Sequence, residues 1–487
     1  MISHQLNRRL TTQDASFLYF ERSNQPMHGV GVAVYEGHMT RSDVTETIAS
    51  RLHVIPRFRQ KVVPAPFAIT HPTWEDDSEF DIGYHITEET LRPPGNERAM
   101  AKVIAQQLVP PLDRNRPLWK MVVVHGRGDG NTAVLSMFHH AMVDGVSGVD
   151  LMLVLHDLTP TPSAAPPSPP WEPAPMPDAL TLMRDAVRDQ LVGAAERWTD
   201  QAFHPAEAIA RAQQAAKALL STLPTMLQPA PRTLFNGPIS DERDVAWAAF
   251  PFAEIRAVRG LLSGTINDLV LTIVAGAIGK YLRHHQVNTQ SMELRAMCPV
   301  SMRASEGRGA LGNQVSMMIA PLYVGILDPV ERLTAEREAM DQLKQQDQAG
   351  SLFAMTRLGE SAPAWVQAFA GKIEMPNTLL NTVSTNVPGP QIPLYMAGHK
   401  VLSSYGCGML SANIGLFNAI ISYNQVLTIG ATVDPRQIPD VWFYADCLKE
   451  SFAELREAAD RAAATAGVAG VADAGWPKPK AASASRH

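Results

Sequence analysis

Cysteine is almost missing from this chain. Its 487 residues include three, Cys298, Cys407 and Cys447, far apart and never in a CxxC pair. Neither a disulfide framework nor a zinc site is indicated, no metal is expected, and a reducing, cytoplasmic setting fits best. Long apolar runs are missing too. No stretch reaches the roughly 18 uninterrupted apolar residues of a spanning helix, so any membrane contact is expected to be peripheral. The opening MISHQLNRRLTTQDASF lacks the apolar core of a secretory signal. Charged residues make up only 18 %, the net charge is −6, and no Lys/Arg-rich run occurs. Nucleic acid is therefore not an expected partner. Several catalytic signatures are also lacking. Asp144-Gly145-Val146-Ser147-Gly148 has the wrong spacing for a GxSxG elbow, and there is no Walker A, no HExxH and no GxGxxG after a strand. Nothing supports a serine hydrolase, an NTPase, a zinc protease or a Rossmann enzyme.

What is present is a globular share of apolar residues, 45 %, spread over more chain than one core holds. Cores stop growing beyond about 250–300 residues, so two domains are expected. The first, residues 1–158, alternates strands at 27–35, 118–125 and 132–138 with helices at 41–52, 97–108 and 147–158. Val44, Ile48 and Leu52 set the period of the first of these helices. The turn Gly126-Arg127-Gly128-Asp129-Gly130-Asn131 makes 118–125 and 132–138 a hairpin. Residues 159–177 are too rich in proline for helix or sheet and read as an extended linker. An Ala-rich helical connector is expected over 178–235. There Leu180, Met183, Val187, Leu191, Ala194 and Trp198 share one face, which packs on the core or meets lipid. Balanced acidic and basic residues argue against strong attraction to anionic lipid. The second domain, 236–464, is expected to hold helices at 266–283, 328–346 and 441–463. Its expected strands lie at 294–300, 314–323, 379–386, 419–423 and 425–433. The tail at 465–487 is expected to be disordered. The fold class is α/β with mixed sheets.

One segment carries the chemistry: His139-His140-Ala141-Met142-Val143-Asp144-Gly145, directly after the apolar residues 134–138. A strand that ends in histidine and then turns at Asp-Gly sets an imidazole at a sheet edge, within a substrate's reach. Imidazole titrates near pH 6.5 and can take a proton from an alcohol during attack. Neighbouring side chains diverge at a strand end, so His139 and His140 are not expected to face one cavity. Asp144 follows His140 by four residues and could orient the ring as in a triad. Gly145 permits close backbone approach where the next helix starts, and that N-terminus offers free N–H groups. The pattern HHxxxDG resembles the signature of CoA-dependent acyltransferases and peptide-synthetase condensation domains.

The company of the motif narrows the resemblance. Asp14-Ala15-Ser16-Phe17, Met27-His28, Phe80-Asp81 with His85, and Pro94-Gly95 come first. The run Pro111-Leu112-Asp113-Arg114-Asn115-Arg116-Pro117-Leu118-Trp119 follows. Asn236-Gly237-Pro238-Ile239, Thr265-Ile266-Asn267-Asp268, Pro299-Val300-Ser301-Met302-Arg303, Gly312-Asn313 and Asn386-Val387-Pro388-Gly389-Pro390 continue in order. Together these segments resemble the bacterial wax ester synthase/diacylglycerol acyltransferase family over residues 12 to about 460. Glu242-Arg243-Asp244 matches only loosely the basic residue expected there, and the insert at 178–227 has no family motif.

The resemblance implies two domains of the chloramphenicol-acetyltransferase type, each a mixed sheet flanked by helices, with a tunnel between them. It places the general base on His140 and a supporting role on His139. It turns Asp144 away to pair with an arginine, for which Arg57 and Arg59 are the candidates, with Arg303 behind them. It brings Asn267 and Asp268 near the catalytic histidine across the interface. Pro117, Leu118, Trp119 and Arg303 are further candidates for substrate binding. Each has a plainer reading: Pro117-Leu118-Trp119 starts a strand and fills the core, Asn267-Asp268 cap a helix, and Arg303 pairs with a carboxylate. His28, His85 and His399 are expected to serve structure. The implied activity is transfer of a long acyl chain from acyl-CoA to an alcohol, giving triacylglycerol or wax ester. Acyl-CoA is the co-substrate, and no permanently bound cofactor is expected. Two other readings remain open: acylation of a polyketide or glycolipid hydroxyl from a carrier protein, and a non-catalytic lipid-binding or lipid-droplet coat protein.

Overall fold

A computed structural model describes residues 8–142, 148–161, 170–203, 228–301, 315–346, 362–373 and 377–467, with single positions 213, 348 and 350. The described residues form fourteen strands: β1 (His28–Tyr35), β2 (Gln60–Val63), β3 (Thr73–Asp76), β4 (Ile86–Thr90), β5 (Trp119–His125), β6 (Thr132–His139), β7 (Asp244–Pro251), β8 (Leu294–Ser301), β9 (Val315–Leu322), β10 (Thr382–Pro388), β11 (Tyr395–Met396), β12 (His399–Cys407), β13 (Leu416–Tyr423) and β14 (Val426–Val433). They build two six-stranded sheets, ordered β11-β12-β1-β6-β5-β4 and β7-β14-β13-β10-β8-β9, and the small hairpin β2-β3. Both large sheets are mixed. β4 runs parallel to β5 in the first, and β10 runs parallel to both β8 and β13 in the second.

The expected hairpin forms. β5 pairs with β6 antiparallel, and Gly126 and Gly130 both take φ 77° in its turn. A side chain at Gly126 would stand 3.0 Å from the Leu91 carbonyl oxygen, so the left-handed turn and the close packing both call for glycine there. Helices Arg41–Arg51, Glu97–Gln107, Ile266–His284, Pro329–Gln345 and Val441–Ala466 lie within a few residues of their expected places. Helix Ala179–Phe203 fills the start of the expected connector. Residues 170–178 carry no regular structure, as their prolines require. Residues 162–169, 204–212 and 214–227, and the tail beyond 467, lie outside the described residues.

One crossover joins the parts of the chain on either side of 236. Residues 395–407 leave the second half of the chain and extend the first sheet. β12 pairs antiparallel with β1 along its length, from Val30 opposite Cys407 to Tyr35 opposite Val401. Without β12 the β1 backbone would be an open edge with unpaired N–H and C=O groups, so the exchange closes it. The exchange also fuses the cores. Val245 and Trp247 of β7 join one apolar cluster with Val30, Val32, Tyr405 and Cys407, and the Trp247 ring stacks on Tyr405 at 4.6 Å. Where the two sheets meet, a Cβ on Gly430 would lie 2.0 Å from the Gly406 carbonyl oxygen. That contact is backbone against backbone, and any side chain would push the sheets apart.

Candidate active site

β6 delivers the histidine pair to the junction. His139 sits opposite His28 on β1, and its N–H donates to the Leu118 carbonyl at 3.0 Å. The His140 N–H donates to Met27 O at 2.9 Å, so both backbones are pinned before the chain turns at His140–Met142. Strand alternation then separates the rings. His139 is wholly buried. His140 is half-buried, and its ring lies 5.0 Å from that of Phe17 on helix Thr12–Phe20.

His139 has a fixed role. The Ala141 N–H donates to its Nδ1 at 3.0 Å, so a neutral ring carries its proton on Nε2. That nitrogen stands 3.3 Å from Glu21 Oε1, close enough for charge although poorly aligned for a hydrogen bond. Glu21 is held in turn by the Met27 N–H at 3.1 Å and by Arg114, whose Nε and Nη2 reach Oε2 at 3.0 and 2.8 Å. Burial alone would raise the Glu21 carboxyl, but His139, the Met27 N–H and Arg114 bring it down to about 2. It is an anion at any pH where the protein works.

His140 is governed by desolvation. Burial, followed by the neighbouring rings of His139 and His28, lowers it to about 4, so the imidazole is an unprotonated base at neutral pH. Among the described residues no hydrogen bond occupies either ring nitrogen. Burial also lowers His28, whose Nε2 donates to Gln107 O at 2.9 Å. His85 Nδ1 donates to Trp119 O at 2.7 Å and His399 Nδ1 to Glu36 O at 2.8 Å, so each of these three histidines is tied to a backbone carbonyl.

The other expected site residues separate into groups. Pro117, Leu118 and Trp119 are buried in the first core. Trp119 stacks on Phe58 at 4.7 Å and on His85 at 4.4 Å, and its indole N–H donates to Phe58 O at 2.9 Å. With that surface already covered, its visible role is packing. Asn267 and Asp268 open helix Ile266–His284. Thr265 is the N-cap, and Asp268 completes a capping box by accepting the Thr265 N–H at 2.8 Å. Asn267 Oδ1 instead accepts from Asn386 Nδ2 at 3.4 Å, joining two segments far apart in sequence. β10, which carries Asn386, also meets helix Gly148–Leu155, the helix that follows the histidine motif. Arg57 lies over the Trp74 ring at 4.5 Å and donates to Gln60 at 2.9 Å. Arg59 lies over Trp171 at 4.4 Å. Asp144, Gly145 and Arg303 fall outside the described residues.

The residues just after Phe20 sew the halves together beneath His139. Asn24 Nδ2 donates to Ile239 O at 3.2 Å, Arg22 to Gly371 O at 3.0 Å, and Gln25 Oε1 accepts the Ala412 N–H at 2.7 Å. Arg243, from the loosely matching segment, donates to Asn24 O. Sequence reasoning missed Glu21 as the partner of His139, and Arg114 as the partner of Glu21. The only sequence signal was their place beside or inside recognisable blocks. Two clefts of about 280 and 410 Å³ lie on the surface, and neither is lined by His140.

Comparison with known proteins agrees with this geometry. A model of the wax ester synthase/diacylglycerol acyltransferase catalytic domain matches residues 10–270, and one of the family's C-terminal domain matches 311–456. A Mycobacterium tuberculosis protein named as a diacylglycerol O-acyltransferase is 31 % identical over 481 residues, covering 93 % of this chain and 91 % of its own. A second from that species is 30 % identical, covering 92 % and 95 %. Among solved structures, the wax ester synthase/diacylglycerol acyltransferase of Marinobacter aquaeolei VT8 aligns with TM-score 0.64 at 24 % identity, over 93 % of this chain and 99 % of its own. The first condensation domain of the calcium-dependent antibiotic synthetase aligns with TM-score 0.56 at 13 % identity, over 96 % and 98 %. These last two likenesses concern the fold. With one family model on each half and relatives aligned over nine-tenths of its length, the chain belongs to the wax ester synthase/diacylglycerol acyltransferase family of acyltransferases.

Proposed function

We propose that the enzyme transfers a long acyl chain from acyl-CoA to the hydroxyl of a diacylglycerol or long-chain alcohol, with His140 as general base. The observation that carries this reading is the state of the His140 ring: unprotonated at neutral pH, half-buried, and unengaged among the described residues. The ring takes the hydroxyl proton as the oxygen attacks the thioester carbonyl. The tetrahedral intermediate then collapses, the C–S bond breaks, and the CoA thiolate recovers the proton from His140. The products are an ester and free CoA. His139, locked between the Ala141 N–H and Glu21, positions the strand end and takes no proton from substrate.

The remaining assignments follow the resemblance. Asp144 pairs with Arg57 or Arg59 to hold the loop, Gly145 permits the tight backbone approach where the next helix begins, and Arg303 meets a CoA phosphate. Asn267 and Asp268 approach from the second half, across a passage between the domains that an acyl chain fills at about 0.8 kcal/mol per buried CH₂. Replacing His140 with alanine should lower ester formation from long-chain acyl-CoA by about a hundredfold or more, the low end for a lost general base. Unchanged turnover would end the proposal.

The lipid substrates suit a cytoplasmic enzyme that sits on a lipid surface. Among the described residues no single helix is long and apolar enough to cross a membrane. Phe67, Trp365, Phe369, Leu180 and Leu191 are instead exposed, at 85, 58, 65, 76 and 66 %. The turn carrying Phe67 touches both helix Ala364–Lys372 and helix Ala179–Phe203. Helix Ala364–Lys372 also packs on Thr12–Phe20, beside His140. Trp365→Ser with Phe369→Ser should reduce co-sedimentation with diacylglycerol-containing vesicles. Equal binding by this variant and the parent would remove this face from consideration.

A further inference from the structure

At the opposite end of helix Ile266–His284 from Asn267, three metal-binding side chains converge. His284, His285 and Asp440 each place one ligand atom within 4.8 Å of the other two. His285 Nε2 is already 3.2 Å from Asp440 Oδ2. In a tetrahedral zinc site, with bonds of about 2.0–2.2 Å, donor atoms stand about 3.4 Å apart. One edge of such a site is therefore formed, and the third donor needs a modest rotation. His284 is free to make it, being exposed at the end of the helix.

Asp440 is oriented for this task. It stands at the N-cap of helix Val441–Ala466 yet makes no capping hydrogen bond there. Its carboxylate turns away from its own helix and accepts the buried Tyr281 hydroxyl on Oδ1, leaving Oδ2 toward His285. A ligating carboxylate held through its second oxygen is the outer-shell arrangement that tunes metal sites. The two imidazoles meet edge to face at 5.2 Å and 82°. His284 rests on Phe443 at 4.2 Å and His285 on Tyr281 at 4.6 Å, so both rings are supported by aromatic walls. The helix C-terminus adds its negative dipole end, which favours a cation. The exposed His284 leaves the cluster open to solvent.

We propose that His284, His285 and Asp440 bind one divalent transition-metal ion of the zinc type, with water as the fourth ligand. Two imidazoles and one carboxylate select zinc, copper or nickel over magnesium or calcium, which take oxygen donors. The ion would clamp the end of helix Ile266–His284 to the start of Val441–Ala466. It touches neither His140 nor the substrates, so its role is structural and independent of the acyl-transfer reading.

The test uses untagged full-length protein, stripped with chelator and titrated with zinc chloride by calorimetry, with thermal unfolding followed in parallel. One equivalent should bind and Tm should rise with zinc. His284→Ala, a change at an exposed position, should weaken binding at least tenfold. The double variant His284→Ala/His285→Ala should bind no zinc and unfold at the same temperature with or without it. Cobalt chloride should give the visible absorption of a tetrahedral site in the parent and none in the double variant. The His140→Ala protein should bind zinc as the parent does. Zinc binding of equal strength in the double variant, or none in the parent, overturns the proposal.

Discussion

At the end of β6 the first sheet gathers His28, His139 and His140, with Glu21 against them. Where the second sheet nears the junction, β10 sets Asn386 against Asn267, a pair of neutral amides held by a helix cap. The two halves share an architecture of six strands and packed helices, but among the described residues the histidines at the junction all belong to the first. Proton transfer needs a group whose charge can change during the reaction, and burial with the neighbouring rings lowers His140 and His28. Amides have no such coupling. They can donate to a developing oxyanion without altering the protonation of the base opposite. On the proposed mechanism the division of labour is electrostatic: one half would set the proton's energy, and the other would supply constant dipoles.

The strongest way to break this comparison is to remove one side chain from each half. Against the loss of about a hundredfold or more expected for the general base His140, Asn386→Ala should cost about tenfold or less in kcat/KM. Initial rates with one radiolabelled acyl-CoA and a panel of acceptors measure both. Equal losses would mean that the amides take part in the chemical step as fully as the imidazole.

Next in size is the anion beneath the pair. Glu21→Gln keeps the shape and can still accept the Met27 N–H, but removes the charge facing His139 and Arg114. The Glu21 side chain is only 4 % exposed. A buried charged hydrogen-bond network that loses one member typically costs about 1–3 kcal/mol, so Tm should fall by several degrees. Turnover should fall less than in the His140→Ala protein, because Glu21 acts through His139. A variant as inactive as His140→Ala but equally stable would make Glu21 part of the proton path itself.

A third test reads pH. A histidine lowered to about 4 keeps its base form down to that pH and loses it as pH falls through about 4. The acid limb of kcat/KM should therefore lie near 4 and not near the unperturbed value of about 6.5. Between pH 8 and about 5 the profile should be flat, and Asn386→Ala should leave the limb in place. A limb near 6.5 in the parent would show that His140 is better solvated than its surroundings imply.

Much of this arrangement is legible in the sequence, for identifiable reasons. β1, β5, β6, β8, β9, β13 and β14 stand close to their expected places because Val, Ile and Leu runs bounded by Gly, Pro or Asn leave little choice. Helices Ile266–His284 and Val441–Ala466 are long and strongly periodic. Short elements escaped: helix Thr12–Phe20, the hairpin β2-β3, β4, β7 and helix Ala364–Lys372 carry too few periods to stand out. β12 escaped for another reason. Its sequence, HKVLSSYGC, is weakly apolar, and its membership of the first sheet is decided by β1 more than 350 residues away. The histidine motif was readable because its letters are adjacent. The Glu21–His139–Arg114 network was not, because its members lie about a hundred residues apart and meet only when β6 is in register with β1. Trp119 shows the converse. It belongs to a recognisable block, yet its stacking on Phe58 and His85 gives it work in the core.

The smallest expected effect sharpens the comparison from the second half. Thr265 caps helix Ile266–His284 by accepting the Asp268 N–H at 3.2 Å, while Asp268 returns the bond to the Thr265 N–H at 2.8 Å. The box fixes the first turn, and with it the direction in which Asn267 reaches Asn386. Thr265→Ala deletes the hydroxyl and leaves the carboxylate, costing about 1 kcal/mol. In a chain of this length that corresponds to a Tm decrease of about 1–2 °C. If the amides act as constant dipoles, a slightly looser cap should change turnover by less than about threefold, since helix packing and not the cap supplies most of the position. Helix Ile266–His284 is buried along most of its length, which supports that expectation. A tenfold loss of turnover at this small stability cost would mean that Asn267 must be held as tightly as the imidazole of His140, and the contrast between the two halves would lie in charge alone.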